Sequence, residues 1–110
     1  MNIQVNNIAE KFLCLTSEIE QGEGLQVIID GYPPLAVFHL EDGGFYVTDD
    51  TCTHGDASLA DGEVDGCEVE CPFHAGAFDI KTGEPCGAPC SIPLKTYTSF
   101  VRDGQVYLVE

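Results

Sequence analysis

Apolar residues in this chain come in short runs cut by polar and turn-forming residues, a pattern that predicts strands rather than helices. Phe12 to Leu15 is the first run, and Leu25 to Ile29 the second, followed by the turn sequence Gly31-Tyr32-Pro33-Pro34. Leu35 to Leu40 and Phe45 to Thr48 predict two more strands, joined by the hairpin signal Glu41-Asp42-Gly43-Gly44. Tyr97 to Arg102 and Gln105 to Val109 predict a last pair, turning at Asp103-Gly104. Helical turns are conceivable only at Asn7-Ile8-Ala9-Glu10 and at the cap-like Thr16-Ser17-Glu18-Ile19, and no apolar stripe sustains either.

From Asp49 to Pro89 the texture changes: Gly, Cys, His, Asp and Pro become dense and the apolar runs shrink. The reading is one all-β domain over residues 1–110. A basal part of about 1–45 and 87–110 carries a smaller inserted subdomain of about 46–86. At 110 residues the chain fits one small domain and leaves little room for a second. Twelve Gly and six Pro, spread between the runs, fit a turn-rich β protein.

Charge narrows the partners. Nineteen acidic residues against four basic give a net charge of −15, a surface that repels a phosphate backbone, so nucleic acid is excluded. Acidity of this size keeps a small protein soluble, and it also steers a diffusing protein toward basic docking patches. Residues 1–10 carry no basic segment followed by an apolar one, and no run is long enough to span a bilayer. The expectation is a cytoplasmic protein without membrane attachment. In that reducing compartment six cysteines read first as metal chemistry rather than as a disulfide framework.

The chemistry concentrates in two segments, Cys52-Thr53-His54 and Cys71-Pro72-Phe73-His74, separated by the sixteen residues Gly55 to Glu70. Each offers one thiolate and one imidazole within two or three positions. Two loops brought tip to tip would surround a single centre, with Gly55, Gly76 and Pro72 at the tight turns. Two Cys and two His could hold zinc tetrahedrally. Zinc sites commonly keep the Cys pair in one segment and the His pair in the other, whereas here each segment mixes them. That suits a 2Fe–2S unit in which imidazoles replace the thiolates on one iron.

These motifs resemble those of Rieske-type ferredoxins of bacterial ring-hydroxylating dioxygenase systems. The resemblance runs through Thr51-Cys52-Thr53-His54-Gly55, Ser58-Leu59, Glu70-Cys71-Pro72-Phe73-His74 and Gly76-Ala77-Phe78-Asp79. It continues in Thr82-Gly83, Pro89-Cys90 and Pro93-Leu94, the last stretch being most like ferredoxins of carbazole-type dioxygenases. The resemblance implies the Rieske fold, three antiparallel sheets with the cluster at the tip of the small subdomain. It implies that Cys52 and Cys71 bind one iron of a 2Fe–2S cluster, and His54 and His74 the other. It further implies a monomeric one-electron carrier between a flavin-containing reductase and a terminal oxygenase, not itself an enzyme. High-potential relatives carry a disulfide between the loops and two hydroxyl donors to the cluster. Here those positions are Ala57 and Phe73, and Gly76 and Phe78, so the expected potential is low, roughly −150 mV. The rival readings are a small Rieske subunit of a larger reductase such as nitrite reductase, and a zinc-binding module.

The other candidates have plainer expectations. Cys14 reads as a buried small hydrophobe, and Cys86 and Cys90 as free thiols. A four-cysteine site from Cys67, Cys71, Cys86 and Cys90 would abandon both histidines. His39 reads as an ordinary strand residue. Asp49, Asp50, Asp56, Asp61 and Asp65 read as solvated turn acids, with Asp56 the docking candidate. Phe73, Pro72 and Leu59 read as the apolar cover of the cluster and the centre of its docking face.

Overall fold

The structure is a computed structural model that describes residues 9–53, 55–73, 76–87 and 92–110. Among these the strands are β1 (Glu10–Leu15), β2 (Glu23–Val27), β3 (Leu35–His39), β4 (Phe45–Asp49), β5 (Glu63–Asp65), β6 (Glu68–Glu70), β7 (Ala77–Asp79), β8 (Thr96–Tyr97), β9 (Ser99–Arg102) and β10 (Gln105–Val109). They form three antiparallel sheets, ordered β1-β10-β9, β2-β3-β4-β8 and β5-β6-β7. The all-β architecture expected from the sequence is the one observed.

β3 explains the layering. Leu35 and Val37 join one buried cluster with Leu13, Cys14, Val106 and Leu108 of the first sheet. Ala36 and Phe38 join a second cluster with Leu59, Val69, Phe78, Ile80 and Leu94. The middle sheet is therefore covered on both faces, which is why Leu35 to Phe38 is an unbroken apolar run instead of an alternating one. Removing Phe38 completely from solvent stabilises the fold by about 2–3 kcal/mol. In β1 the register shifts between Phe12 and Cys14, and the neighbouring Leu13 and Cys14 are both buried. A bulge of this kind lets one strand present consecutive residues to a core.

One sequence expectation needs correction. Tyr97 to Arg102 is not one strand. Tyr97 pairs with Val47 in the middle sheet, and after Thr98 the chain crosses to the first sheet, where β9 pairs with β10. Thr16 to Glu18 forms a single 3₁₀ turn, and its cap comes from the Glu18 carboxylate accepting the Leu15 amide at 2.8 Å. Of the other conceivable helical turn, Asn7 and Ile8 lie outside the described residues and Glu10 begins β1. The hairpin at Asp103-Gly104 forms as expected, both residues with positive φ (53° and 76°).

Candidate metal centre

Past β4 the chain enters its first cysteine loop. The Cys52 amide donates to the Ala57 carbonyl at 3.0 Å, closing a six-residue loop, 52–57. Inside it the Gly55 amide donates to the Cys52 carbonyl at 3.3 Å. Below it, Thr51 bridges to Ser58, and the Leu59 amide donates to the Asp50 carbonyl at 2.7 Å. These contacts make the segment a short, tightly zipped hairpin. Its two arms are Asp50 to Cys52 and Ala57 to Leu59.

The second loop repeats the device. β6 runs into Cys71, whose amide donates to the Gly76 carbonyl at 3.0 Å, again closing six residues, 71–76. Gly76 sits at φ 89°, a conformation a β-carbon resists, before β7 begins. A cysteine therefore stands at the entrance of each loop with its own amide fixing the closure.

The loops meet. The Phe73 ring lies 3.6 Å from where a β-carbon on Gly55 would stand. Cys52 and Cys71, 3% and 0% exposed, belong to the same buried cluster with Leu59, Val69, Phe78 and Leu94. The first loop is also tied outward, the Thr53 hydroxyl donating to the Ile92 carbonyl at 2.9 Å. His54 and His74, the two expected imidazole ligands, lie outside the described residues. The described part of the site fits a thiolate-held group. Two cysteines in one buried apolar cluster, on backbone tied by hydrogen bonds, are preorganised donors whose surroundings exclude water.

Several sequence-level assignments change. Leu59 is 0% exposed, within a 3₁₀ turn over Leu59–Asp61, so it supports the loop from below and cannot belong to a docking face. Phe73 is 64% exposed, and Ile92 at 59% is a second exposed apolar side chain that local sequence did not single out. Asp50 is no turn acid. It is buried, its carboxylate accepting from the Ala60 amide at 2.9 Å and from Gln26 Nε2 at 2.8 Å. Asp49 accepts from the Tyr97 hydroxyl at 2.5 Å. Asp56, Asp61 and Asp65 are exposed, as expected. The outward side of the third sheet is acidic, with Glu63 opposite Glu70 and Asp65 opposite Glu68.

Of the remaining cysteines, Cys14 is buried, and burial, with Glu18 adding to it, pushes its thiol up to about 11. Cys86 is an exposed free thiol, raised first by partial burial and then by the Glu68 charge; Cys90 lies outside the described residues. His39 is satisfied locally, its Nδ1 3.0 Å from the Ile19 carbonyl and its ring stacked on Phe45 at 4.1 Å.

Residues 9–98 match the family model described as the Rieske [2Fe-2S] domain. The chain belongs to that family. Its cofactor is accordingly a Rieske 2Fe–2S cluster. Ferredoxin CarAc of Metapseudomonas resinovorans is 46% identical over 96 residues, which cover 87% of this chain and 89% of that protein. Among solved structures, the Sphingomonas yanoikuyae B1 ferredoxin superposes with a TM-score of 0.87 at 44% identity, over 93% of this chain and 99% of its own. A ferredoxin in the complex of reduced oxygenase and oxidized ferredoxin of carbazole 1,9a-dioxygenase superposes at 0.83 and 44%, over 94% of each chain. Among the described residues of this Rieske protein no helix is long and apolar enough to cross a membrane.

Proposed function

We propose that this Rieske protein is the ferredoxin of an aromatic-ring-hydroxylating dioxygenase system. It takes one electron from a flavin-containing reductase and delivers it to the terminal oxygenase. The observation that carries the reading is the pair of matched loops, each opened by a buried cysteine and each closed by that cysteine's own amide. Cys52 and Cys71 would hold one iron and His54 and His74 the other, in a subdomain of about residues 46–86 on a basal part of about 1–45 and 87–110. When bound, the cluster supplies a one-electron couple.

The chain's own residues do the rest. The zipped loops hold the thiolates in place through both redox states, so little reorganises when charge changes. Phe73 and Ile92 give the tip exposed apolar surface for docking. The acidic surface speeds encounter with basic partner patches and screens away at high salt. Ala57 and Phe73 cannot form a disulfide across the loops, and neither Gly76 nor Phe78 can donate to a cluster sulfur. Fewer such donors mean a less stabilised reduced state and a low potential. The protein is read as a cytoplasmic monomer that performs no bond-making chemistry.

Reconstituted with iron and sulfide and reduced anaerobically, the protein should store one electron per chain. Mixed with the reductase and oxygenase of an aromatic dioxygenase system, it should restore product formation at catalytic concentrations. Storage of no electron, or product formation indifferent to its presence, would overturn the reading.

A further inference from the structure

Among the described residues Asp50 is the only acidic side chain that is buried, and no lysine or arginine pairs with it. A buried carboxylate is costly unless its oxygens are matched by donors. Here each oxygen has one, and the donors come from different parts of the fold: Oδ1 takes the Ala60 amide, and Oδ2 takes Nε2 of Gln26 on β2. The Asp50 backbone is engaged as well, its amide donating to the Pro34 carbonyl at 2.9 Å and its carbonyl accepting the Leu59 amide at 2.7 Å.

These four bonds have one geometric consequence. Asp50 stands at the foot of the incoming arm of the first cysteine loop, and Leu59 and Ala60 stand at the foot of the outgoing arm. The residue therefore grips the outgoing arm twice, once by its carbonyl and once by its carboxylate. Through Gln26 and Pro34 it fastens both arms to the middle sheet. Among the described residues no buried acid stands at the foot of the second loop, where β6 and β7 pair directly. We propose that Asp50 is the positioning residue of the first ligand loop: its buried carboxylate clamps the two arms and so fixes where Cys52 meets the cluster. The proposal rests on the reading of Cys52 as a ligand.

The test compares Asp50→Ala, Asp50→Asn and Gln26→Ala in the full-length, reconstituted protein, with Val27→Ala as a control in the neighbouring core. Asparagine keeps an oxygen for the Ala60 amide, and Gln26 can turn its own amide to offer an oxygen to the new Nδ2. Asp50→Asn should therefore retain the native EPR g-values of the reduced cluster. Asp50→Ala should broaden and shift them, and should raise hydrogen–deuterium exchange over residues 50–60 about tenfold. Gln26 is exposed, so Gln26→Ala should fold in any case, with a smaller change of the same kind. Val27→Ala should lower stability and leave the spectrum native.

Native spectrum and native exchange in both Gln26→Ala and Asp50→Ala overturn the proposal. So does an equal spectral change in Val27→Ala. The exchange measurement reads the clamp even without iron. A wild-type protein that binds no cluster, yet loses protection over 50–60 in Asp50→Ala, would sink the ligand reading and leave the clamp standing.

Discussion

Phe73 on the second cysteine loop rests its ring against Gly55 on the first, 3.6 Å from the position a β-carbon would take. This contact joins the two loop tips, yet most of the ring faces solvent. Phe73→Ala should therefore cost little stability, within about 1 kcal/mol. It should nevertheless shorten the lifetime of the cluster in air and slow electron delivery to the oxygenase. Thermal melts of the holoprotein and stopped-flow reoxidation check the two halves separately.

Gly83, beyond β7, passes against the returning chain at Leu94. It has φ 82°, its carbonyl accepts the Leu94 amide at 2.7 Å, and a β-carbon there would lie 2.0 Å from the Leu94 carbonyl oxygen. Gly83→Ala should destabilise by about 2 kcal/mol or more in urea unfolding. Gly87→Ala, where nothing lies within 4 Å, should change stability by less than about 0.5 kcal/mol.

Asp42 in the β3–β4 turn accepts from Lys81, beyond β7, at 2.8 Å, and from the Gly44 amide and the Tyr46 hydroxyl. Its hydrogen bond from Lys81 is the largest of the influences that hold its carboxyl at about 2 instead of 3.8. A carboxylate lowered on folding contributes stability above its unfolded pKa and loses it as pH falls through the folded one. The contribution of Asp42 should therefore fade between about pH 4 and pH 2. Because the pair is exposed its size should be small. A carboxyl NMR titration should show a midpoint near 2 that moves upward in Lys81→Met.

Phe78 is fully buried on β7, opposite Val69 and in the cluster that holds Cys71. Phe78→Tyr places a hydroxyl donor where high-potential Rieske proteins have one. Protein-film voltammetry should show a more positive potential than wild type. An unchanged potential with lowered stability would mean that the hydroxyl finds no cluster sulfur and is simply buried without a partner.

Much of this was legible in the chain. Leu35 to Phe38 and Gln105 to Val109 carry their own apolar signals, and Asp103-Gly104 names its turn. The two cysteine–histidine segments stand out because thiol and imidazole recur at short spacing. Other features depend on partners distant in sequence. That Tyr97 and Ser99 serve different sheets follows from what Val47 and Leu108 offer them, and no local pattern around Thr98 records it. Asp50 looked like any loop acid, since the Gln26 that helps to satisfy it lies 24 residues away. Leu59 looked like part of an exposed tip because sequence does not show which way a single 3₁₀ turn points. The short third-sheet strands did leave a trace: Glu63-Val64-Asp65 and Glu68-Val69-Glu70 alternate acid and apolar residues around Gly66.

The central claim is that two cysteines and two histidines share one iron–sulfur cluster. Nitrogen ENDOR on the reduced protein, with histidine isotopically labelled, tests it most directly. Two distinct histidine nitrogens should couple to the cluster spin, and each of His54→Ala and His74→Ala should abolish the Rieske signal. A reduced 2Fe–2S spectrum without histidine coupling, or a purified protein that holds zinc and shows no such spectrum, would contradict the account.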